Sequence, residues 1–332
     1  MQIKKRTSSF LEMNLQRFLF STAIISLLLG SCADEISQIP DVYVAGETVA
    51  KGGKYVATYW KNQKEIPLTQ DTTGNTFANS IALDGNDVYV AGFQQQSFKN
   101  DQAIFWKNGI ATSLADDDRS SYANAITIVN GDVYIAGAEE KAAYWKNGQL
   151  NLLDGDEATS IFVVENDVYV AGFDYSGSAK YWINGFSISL TDGTMDARAN
   201  GIAVVGKDVY VVGYEDRLAK YWKNGVAFTL TSKDGEATGI ALQGNDVYIV
   251  GYENSNTQFF SIVKYWKNGV EVVLTDESQS CIARAITVNN KDVFVAGSDF
   301  YNAKYWKNNQ SFDLLGLRKS ISVNSVHSIF VK

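Results

Sequence analysis

The stretch DVYVAG, residues 87–92, decides the fold because the chain repeats it seven times with small changes. The copies begin at residues 41, 87, 132, 167, 208, 246 and 292, so they recur every 35 to 46 residues. A period of this size is typical of a repeat architecture. One Trp follows each copy, and these seven account for every Trp of the chain: Trp60, Trp106, Trp145, Trp182, Trp222, Trp266 and Trp306.

One repeat, residues 237–275, contains four short apolar runs. Gly-Asn joins the first two runs and Asn-Gly joins the last two, which predicts two hairpins, because tight turns need positive φ. We name the four strands A to D. DVYVAG, as strand B, is apolar on both faces and must be covered on both sides. We therefore expect an all-β, seven-bladed propeller of four-stranded blades over residues 41–332.

Both ends of the chain fit this ring. The first copy, at Asp41, has no strand A before it, whereas SVHSIFVK at 325–332 matches strand A of the other repeats. The pattern predicts that the C-terminal strand pairs with the N-terminal blade and removes an exposed sheet edge. The seven Trp are expected to pack between blades, with a ring of ligand-stacking Trp as the alternative.

The N-terminus has a different composition. Lys4, Lys5 and Arg6 precede a short apolar run at 18–29, which ends in LGSC at 29–32. This segment resembles the lipobox of bacterial lipoproteins. The resemblance implies a signal peptide at 1–31, starting at Met1 or Met13, and a lipidated, palmitate-bearing Cys32. A short linker would complete 32–40. The alternative is an ordinary secretory signal with an incidental Cys.

The lipobox and the repeats together resemble bacterial β-propeller-repeat lipoproteins, and more distantly the WD40 and kelch class. That resemblance implies a lipid-anchored envelope protein of the outer membrane, periplasmic or surface-exposed. The repeat motif is neither a WD dipeptide nor a kelch double glycine, so no functional residue transfers. The net charge of −8 argues against nucleic acid as a partner. With Cys32 acylated, Cys281 has no disulfide partner and is expected to be a core residue rather than a reactive thiol.

The loops between strands B and C and between D and A differ from repeat to repeat, and both kinds should lie on one face of the disc. Binding residues concentrate on variable loops held by a rigid scaffold. Two residues before the Ile of each strand A stands a polar residue, which predicts a ring at the channel mouth: Asn79, Asn124, Thr159, Asn200, Thr238, Arg284 and His327. These side chains either cap strand ends or bind a sugar, peptide or anion.

Two other features belong to the same face. Aromatic residues gather in the B–C loops, where they either continue strand B packing or contact a ligand: Phe93, Phe98, Phe173, Tyr175, Tyr214, Tyr252, Phe259, Phe260, Phe300 and Tyr301. The D–A loops are acidic, as at Asp154, Asp156, Glu157 and Glu236. This predicts a solvated acidic rim, with Ca²⁺ binding as the alternative and no other cofactor or metal.

Three classes of function fit this pattern. The first is a non-catalytic, monomeric, envelope-anchored propeller that binds a ligand, possibly a glycan. The second is a scaffold or accessory subunit of an outer-membrane complex, which a single patch around Arg284, Phe259, Phe260, Tyr301, Arg318, Lys319 and His327 would favour. The third is a polysaccharide lyase or hydrolase. The chain has a single His and no GxSxG or Cys–His constellation, so an enzyme is the least favoured of the three.

Overall fold

The computed structural model describes residues 39–50, 52–69, 74–95, 99–115, 118–255, 260–276, 280–299, 302–314 and 325–332. These residues contain 27 strands and no helix, and so no helix that could cross a membrane. The chain divides into two compact units, Met1–Pro40 and Asp41–Lys332. In the first unit only Ile39 and Pro40 are described.

Each repeat contributes its strands in the order A to D. Repeats 1 to 3 consist of Ser325–Val331 (β27), Val42–Val49 (β1), Tyr55–Lys61 (β2) and Lys64–Pro67 (β3); Asn75–Asp84 (β4), Asp87–Gln95 (β5), Gln102–Lys107 (β6) and Ile110–Ser113 (β7); and Ser121–Val129 (β8), Asp132–Glu139 (β9), Lys141–Lys146 (β10) and Gln149–Leu152 (β11). Repeat 4 consists of Glu157–Val164 (β12), Asp167–Asp174 (β13), Ser178–Ile183 (β14) and Phe186–Ser189 (β15).

Repeats 5 and 6 share one strand. They consist of Ala197–Val205 (β16), Asp208–Glu215 (β17), Leu218–Lys223 (β18), the shared Val226–Gln243 (β19), Asp246–Asn254 (β20), Ser261–Lys267 (β21) and Val270–Val273 (β22). Repeat 7 consists of Cys281–Asn289 (β23), Asp292–Asp299 (β24), Ala303–Lys307 (β25) and Gln310–Asp313 (β26). All strands within a sheet pair antiparallel with their neighbours, and the arrangement is that of an all-β propeller.

The hydrogen-bonded sheets number six among the described residues, five of four strands and one of seven. Seven separate sheets were expected, and β19 is the reason for the difference. Its first half pairs with β18 and its second half with β20. The backbone stays extended between the two halves, where Asp234 pairs with Leu218 and Gly235 with Glu253. In repeat 1, β27 from the C-terminus pairs with β1.

The motif residues at the A–B and C–D turns bond to one another. In repeat 2 the Asn108 side chain donates to Asp87 (2.8 Å) and accepts from the Val88 amide (2.9 Å). Lys107 pairs with Asp87 at 2.9 Å and lies 5.0 Å from the centre of the Tyr89 ring. These bonds hold the pKa of the Asp87 carboxyl below its usual range. The lysine is present in every repeat except repeat 4, where Ile183 replaces it. The recurring motif is therefore a structural clasp, and we call this side of the disc the turn face.

The seven Trp side chains are buried between consecutive repeats, as expected. Trp222 of repeat 5 packs against Ala171, Ala179 and Tyr181 of repeat 4, and Trp106 of repeat 2 packs against Ala45 and other residues of repeat 1. Small residues that are completely buried, such as these alanines, leave room for the indole. The Trp ring therefore belongs to the core and not to a ligand site.

Candidate functional site

The predicted polar ring lies at seven β-bulges. In each repeat the register of strand A against strand B shifts by one residue, as between Ala78 and Ser80 in repeat 2. The residue left over by each shift is the ring residue itself: Asn79, Asn124, Thr159, Asn200, Thr238, Arg284 and His327. A bulge bends the strand and redirects one side chain out of the ladder. The B–C and D–A connections lie on the side of the disc opposite the turns, and we call that side the loop face.

The last glycine of DVYVAG makes this bulge possible. A Cβ atom on Gly92 would lie 1.9 Å from the Phe77 carbonyl oxygen, and one on Gly213 would lie 1.9 Å from that of Arg198. Equivalent contacts of about the same length occur in all seven repeats. Only glycine permits this close approach of the two backbones. The invariant glycine therefore serves the geometry of the ring.

Four ring residues join consecutive repeats by hydrogen bonds. Each donates to the carbonyl oxygen just before the next ring residue: Asn79 to Ala123 (3.0 Å), Asn124 to Ala158 (3.0 Å), Thr159 to Ala199 (2.7 Å) and Asn200 to Ala237 (3.0 Å). Buried carbonyl groups need such partners. For these four residues the strand-capping interpretation describes the contacts. Each of the three Asn side chains also carries an oxygen that can accept a hydrogen bond.

The pattern ends at repeat 6. Thr238 contacts the Val250 carbonyl of its own repeat at 3.4 Å instead of reaching repeat 7. Arg284 is exposed, and no described carboxylate lies within ion-pair distance of it. His327 contacts Glu47 at 3.0 Å across the β27–β1 pair, and this Glu47 carboxylate is buried. The mouth is therefore asymmetric, since the hydrogen bonds between consecutive ring residues stop at repeat 6 and Arg284 adds an exposed positive charge at repeat 7.

Two glutamates on the loop face have nearly identical surroundings. Glu157 Oε1 accepts from the Asn124 amide (3.0 Å), and its Oε2 accepts from the Tyr175 hydroxyl (3.2 Å). Glu236 Oε1 accepts from the Asn200 amide (2.8 Å), and its Oε2 accepts from the Tyr252 hydroxyl (2.8 Å). Sequence reasoning placed these glutamates in an acidic rim and missed the pairing, because Asn and Glu come from different repeats.

The hydroxyl groups of these tyrosines stay protonated. Burial, together with the nearby glutamate, raises the pKa of Tyr252 and of Tyr175 above the ordinary value. Burial raises the pKa of Tyr214 to about 12, although the positive charge of Arg198 acts to lower it. The Tyr214 hydroxyl donates to Asp196 at 3.1 Å. The loop face therefore presents neutral phenols beside carboxylates over the whole ordinary pH range.

The aromatic residues fall into two groups. Phe93 stacks on Phe77 with ring centres 4.6 Å apart, and the Tyr122 ring approaches Phe93 at 5.1 Å. Phe173 is buried under the Arg198 guanidinium, 4.5 Å away. The faces of these rings are covered by protein, which fits the packing interpretation. Tyr175, by contrast, is 71% exposed. Phe98, Phe259, Phe300 and Tyr301 lie outside the described residues.

The sequence analysis did not predict a set of ion pairs that join strand B to strand C within a repeat. In repeats 4 to 7 the acid two residues after the DVYVAG glycine pairs with the lysine two residues before Trp: Asp174–Lys180 (2.8 Å), Glu215–Lys220 (2.5 Å), Glu253–Lys264 (2.5 Å) and Asp299–Lys304. Repeat 1 has Thr48 and Thr58 in these positions, hydrogen-bonded at 3.2 Å. The recurring Lys-Tyr-Trp was the signal that could have revealed them.

Glu253 and Lys264 give a prediction for pH dependence. Burial alone would raise the pKa of Glu253, but bonds from Lys264 and from two backbone amides lower it overall. Burial alone would lower the pKa of Lys264, but Glu253 and Glu271 raise it overall. Glu253 therefore stabilises the fold above its ordinary pKa of 4.5, and this contribution is lost as the pH falls through the lowered value. Lys264 contributes below 10.5, and this is lost as the pH rises through its raised pKa.

We expect the double variant Glu253→Gln/Lys264→Met to lose these two contributions to the pH dependence. Urea midpoints measured from acid to alkaline pH should fall less steeply at both ends for the double variant than for the parent. Parallel curves for the two proteins would contradict the assigned pKa directions. Replacing both partners avoids an uncompensated buried charge, which is strongly destabilising.

The remaining predictions concern metals and cysteines. Among the described residues no group of three or more His, Cys, Asp or Glu side chains is arranged to hold a metal ion. Loop carboxylates instead accept protein donors, as when Asp154 accepts from Trp182 (2.6 Å) and Ser187 (2.8 Å). Cys281 is free and buried, with burial raising its thiol pKa. Cys32, Arg318 and Lys319 lie outside the described residues.

Comparisons with known proteins show similarity of fold only. No family model and no curated protein matches the chain. Among solved structures, a puromycin-hydrolyzing peptidase of Mycobacterium tuberculosis superimposes with a TM-score of 0.54 at 9% identity, over 83% of this chain and 54% of the peptidase. The chain thus spans about half the length of that protein. A chain of the mitotic checkpoint complex has a TM-score of 0.45 at 15% identity, over 72% of this chain and 77% of that one. A chain of a nidogen/laminin complex has a TM-score of 0.43 at 10% identity, over 88% of this chain and 98% of that one.

Proposed function

We propose that the protein is a non-catalytic propeller that binds a glycan at the mouth of its loop face. The observation that carries this proposal is the contrast between the two faces. On the turn face the polar side chains of the motif bond to one another within each repeat, as in the Asp87–Lys107–Asn108 clasp. On the loop face Arg198, Arg284 and Tyr175 are exposed beside the carboxylates and amides of the mouth.

This set of groups suits sugar hydroxyls. A hydroxyl both donates and accepts, so it can bond a carboxylate and a guanidinium together. An exposed tyrosine ring, such as that of Tyr175, adds an apolar surface for the sugar ring. The same groups could serve catalysis, but in the described residues the carboxylates of the mouth already accept bonds from Asn and Tyr donors. Binding is therefore the function that this geometry supports best.

A glycan array probed with the full-length protein in detergent, with and without Ca²⁺, tests the proposal. We expect specific binding that Arg198→Ala and Arg284→Ala reduce at least tenfold, because each removes exposed donors from the mouth. Lys207→Ala on the turn face is the control and should bind as the parent does. Loss of binding in the control alone, or no binding to any glycan, would refute the proposal.

We propose that the seven repeats make seven blades. In this interpretation the seven-stranded sheet is two blades that share β19, and β27 supplies strand A of the first blade. The β27–β1 pairing and the bonds between Asp41 and Lys332 (2.8 and 3.0 Å) support the closure. The order of the sheets around the ring is supported by the Trp contacts between consecutive repeats.

The anchor is part of the same proposal. We place the protein in the cell envelope, held at the outer membrane by lipid on Cys32, because the LGSC segment follows a basic leader and an apolar run. Replacing Cys32 with Ser should move the protein from the membrane fraction to the soluble fraction, measured by fractionation of cells. Cys281→Ser is the matched control and should leave the protein with the membranes. Membrane association of the Cys32 variant would contradict the anchor.

A scaffold function is the second candidate, and a different observation favours it. The outermost strands of repeats 4 to 6 expose large apolar side chains, with Phe186 80%, Val226 60% and Val270 69% exposed. A partner protein that packs on this rim would bury these apolar side chains. Cross-linking in intact cells from a photoreactive residue at position 226 should then capture one partner, and Val226→Glu should abolish the complex.

A further inference from the structure

We infer that the mouth contains two equivalent subsites, and that its ligand presents the same group twice. This inference rests on the proposed function and goes further, because it names the ligand class as a repeating oligosaccharide with neighbouring hydroxyls. The first subsite consists of Asn124, Glu157 and Tyr175, with Arg198 beside it. The second consists of Asn200, Glu236 and Tyr252, with Arg284 beside it.

The two sets share their hydrogen-bond geometry and not only their residue types, although Tyr175 is exposed and Tyr252 is half-buried. In each set Oε1 of the glutamate accepts from the Asn of the preceding repeat, and Oε2 accepts from a Tyr of the same repeat. Each Asn also donates to the carbonyl oxygen of the alanine after the glutamate, at 3.0 Å in both sets. Two independent donors fix each carboxylate, so its orientation exists before any ligand arrives.

The tyrosines reach this geometry from different positions. Tyr252 follows Gly251 directly, whereas Tyr175 stands three residues after Gly172. Two different positions in the repeat therefore produce the same Glu–Tyr bond. A purely repeated structural contact would use one position throughout, as the turn-face clasp does.

Within the part of the chain that the structure describes, each set leaves hydrogen-bonding capacity for a ligand. An ionised carboxylate offers about four lone-pair sites, of which Asn and Tyr use two. The Asn side-chain oxygen is an acceptor. Arg198 and Arg284 are exposed, and their charges act on the neighbouring tyrosines Tyr175 and Tyr252. A pair of adjacent hydroxyls fits such a set, since one donates to the carboxylate and the other accepts from the guanidinium.

Two subsites on one rigid ring predict that the binding affinity depends strongly on the length of the oligosaccharide. A ligand that spans both sites gains affinity because its second contact is intramolecular, by roughly 10²-fold or more when the spacing matches. When the ligand is too short to span both subsites, two ligand molecules should bind to each protein molecule. Titration calorimetry on the full-length protein in detergent distinguishes the two cases, with ladders of cello-, xylo-, manno-, malto- and chito-oligosaccharides of two to eight units as probes.

We expect a short oligosaccharide to bind with a stoichiometry of two and a long one of the same ladder to bind with a stoichiometry of one and at least tenfold tighter. Glu157→Gln and Glu236→Gln should each reduce the short-ligand stoichiometry to one and remove the gain with length. The double variant should not bind. Glu165→Gln on the turn face carries the same chemical change and should leave both values unaltered.

The outcomes separate this inference from the proposed function. A stoichiometry of one at every length, or an effect of only one glutamate variant, would overturn the paired subsites and leave glycan binding in place. If no oligosaccharide of any ladder binds the parent protein, and a melting curve shows that this protein is folded, both the paired subsites and glycan binding are overturned. Unchanged melting temperatures of the two Gln variants show that any loss of binding is not a loss of fold.

Discussion

Replacing Trp222 with Ala is expected to destabilise the protein by roughly 3–5 kcal/mol, as for other buried aromatic side chains truncated to alanine. The indole has no exposed surface and packs between strands A and B of its own repeat and the alanines at 171 and 179 of the preceding repeat. Neither side can collapse into the space, because both belong to hydrogen-bonded sheets. Urea unfolding of the full-length parent and the variant measures the difference.

Phe186→Ala is the matched control for this experiment. Phe186 is also a large aromatic residue, but it is 80% exposed on the outermost strand of repeat 4. Its truncation should change the free energy of unfolding by no more than about 0.5 kcal/mol, as is usual for surface positions. Equal effects of the two substitutions would show that Trp222 does not hold consecutive repeats together.

Deleting residues 325–332 is expected to have the largest effect of all. The deletion removes β27 and leaves β1 as an unpaired edge, although nearly all of β1 is buried in the intact protein. Apolar side chains such as Val42 and Val44, which share one cluster with Ile329 and Trp60, would lose their packing against the deleted strand. An open, apolar edge strand also invites pairing between molecules. We expect a large decrease in melting temperature and aggregation on heating.

A synthetic peptide of residues 325–332 provides the control for the deletion. Added in excess to the truncated protein, it should restore part of the melting temperature, because it can re-form the ladder with β1. A peptide of the same composition in scrambled order should not. A truncated protein that melts like the parent would refute the closure of the ring by β27.

Much of the fold could be predicted from the sequence, because local chemistry recurs seven times. Asn-Gly turns and the doubly apolar DVYVAG strand indicated four-stranded units and an all-β propeller. The structure confirms the all-β propeller arrangement, with five four-stranded sheets and one seven-stranded sheet among the described residues. The buried position of Trp222 followed from its fixed place in strand C. The sheets themselves were less predictable, since the continuous backbone of β19 depends on a D–A connection that stays extended between Ser232 and Gly235.

The place of the ring residues in strand A could be predicted from the sequence, but their contacts could not. The polar residue before each Ile of strand A could be identified by alignment of the repeats, yet its place at a β-bulge depends on register. The Asn124–Glu157 and Asn200–Glu236 bonds join neighbouring repeats, so no pattern within one repeat contains them. Four bonds from ring residues to carbonyl oxygens of the next repeat were hidden for the same reason.

Hydrogen exchange of the full-length protein, with and without the oligosaccharide that binds it most tightly, tests the central claim most directly. Binding at the loop-face mouth predicts slower exchange in peptides that cover residues 156–160, 196–201 and 234–239, and unchanged exchange at the Asn-Gly turns near 108 and 224. Protection confined to the turn face or to the outermost strands around 186, 226 and 270 would contradict the claim that the mouth is the binding site.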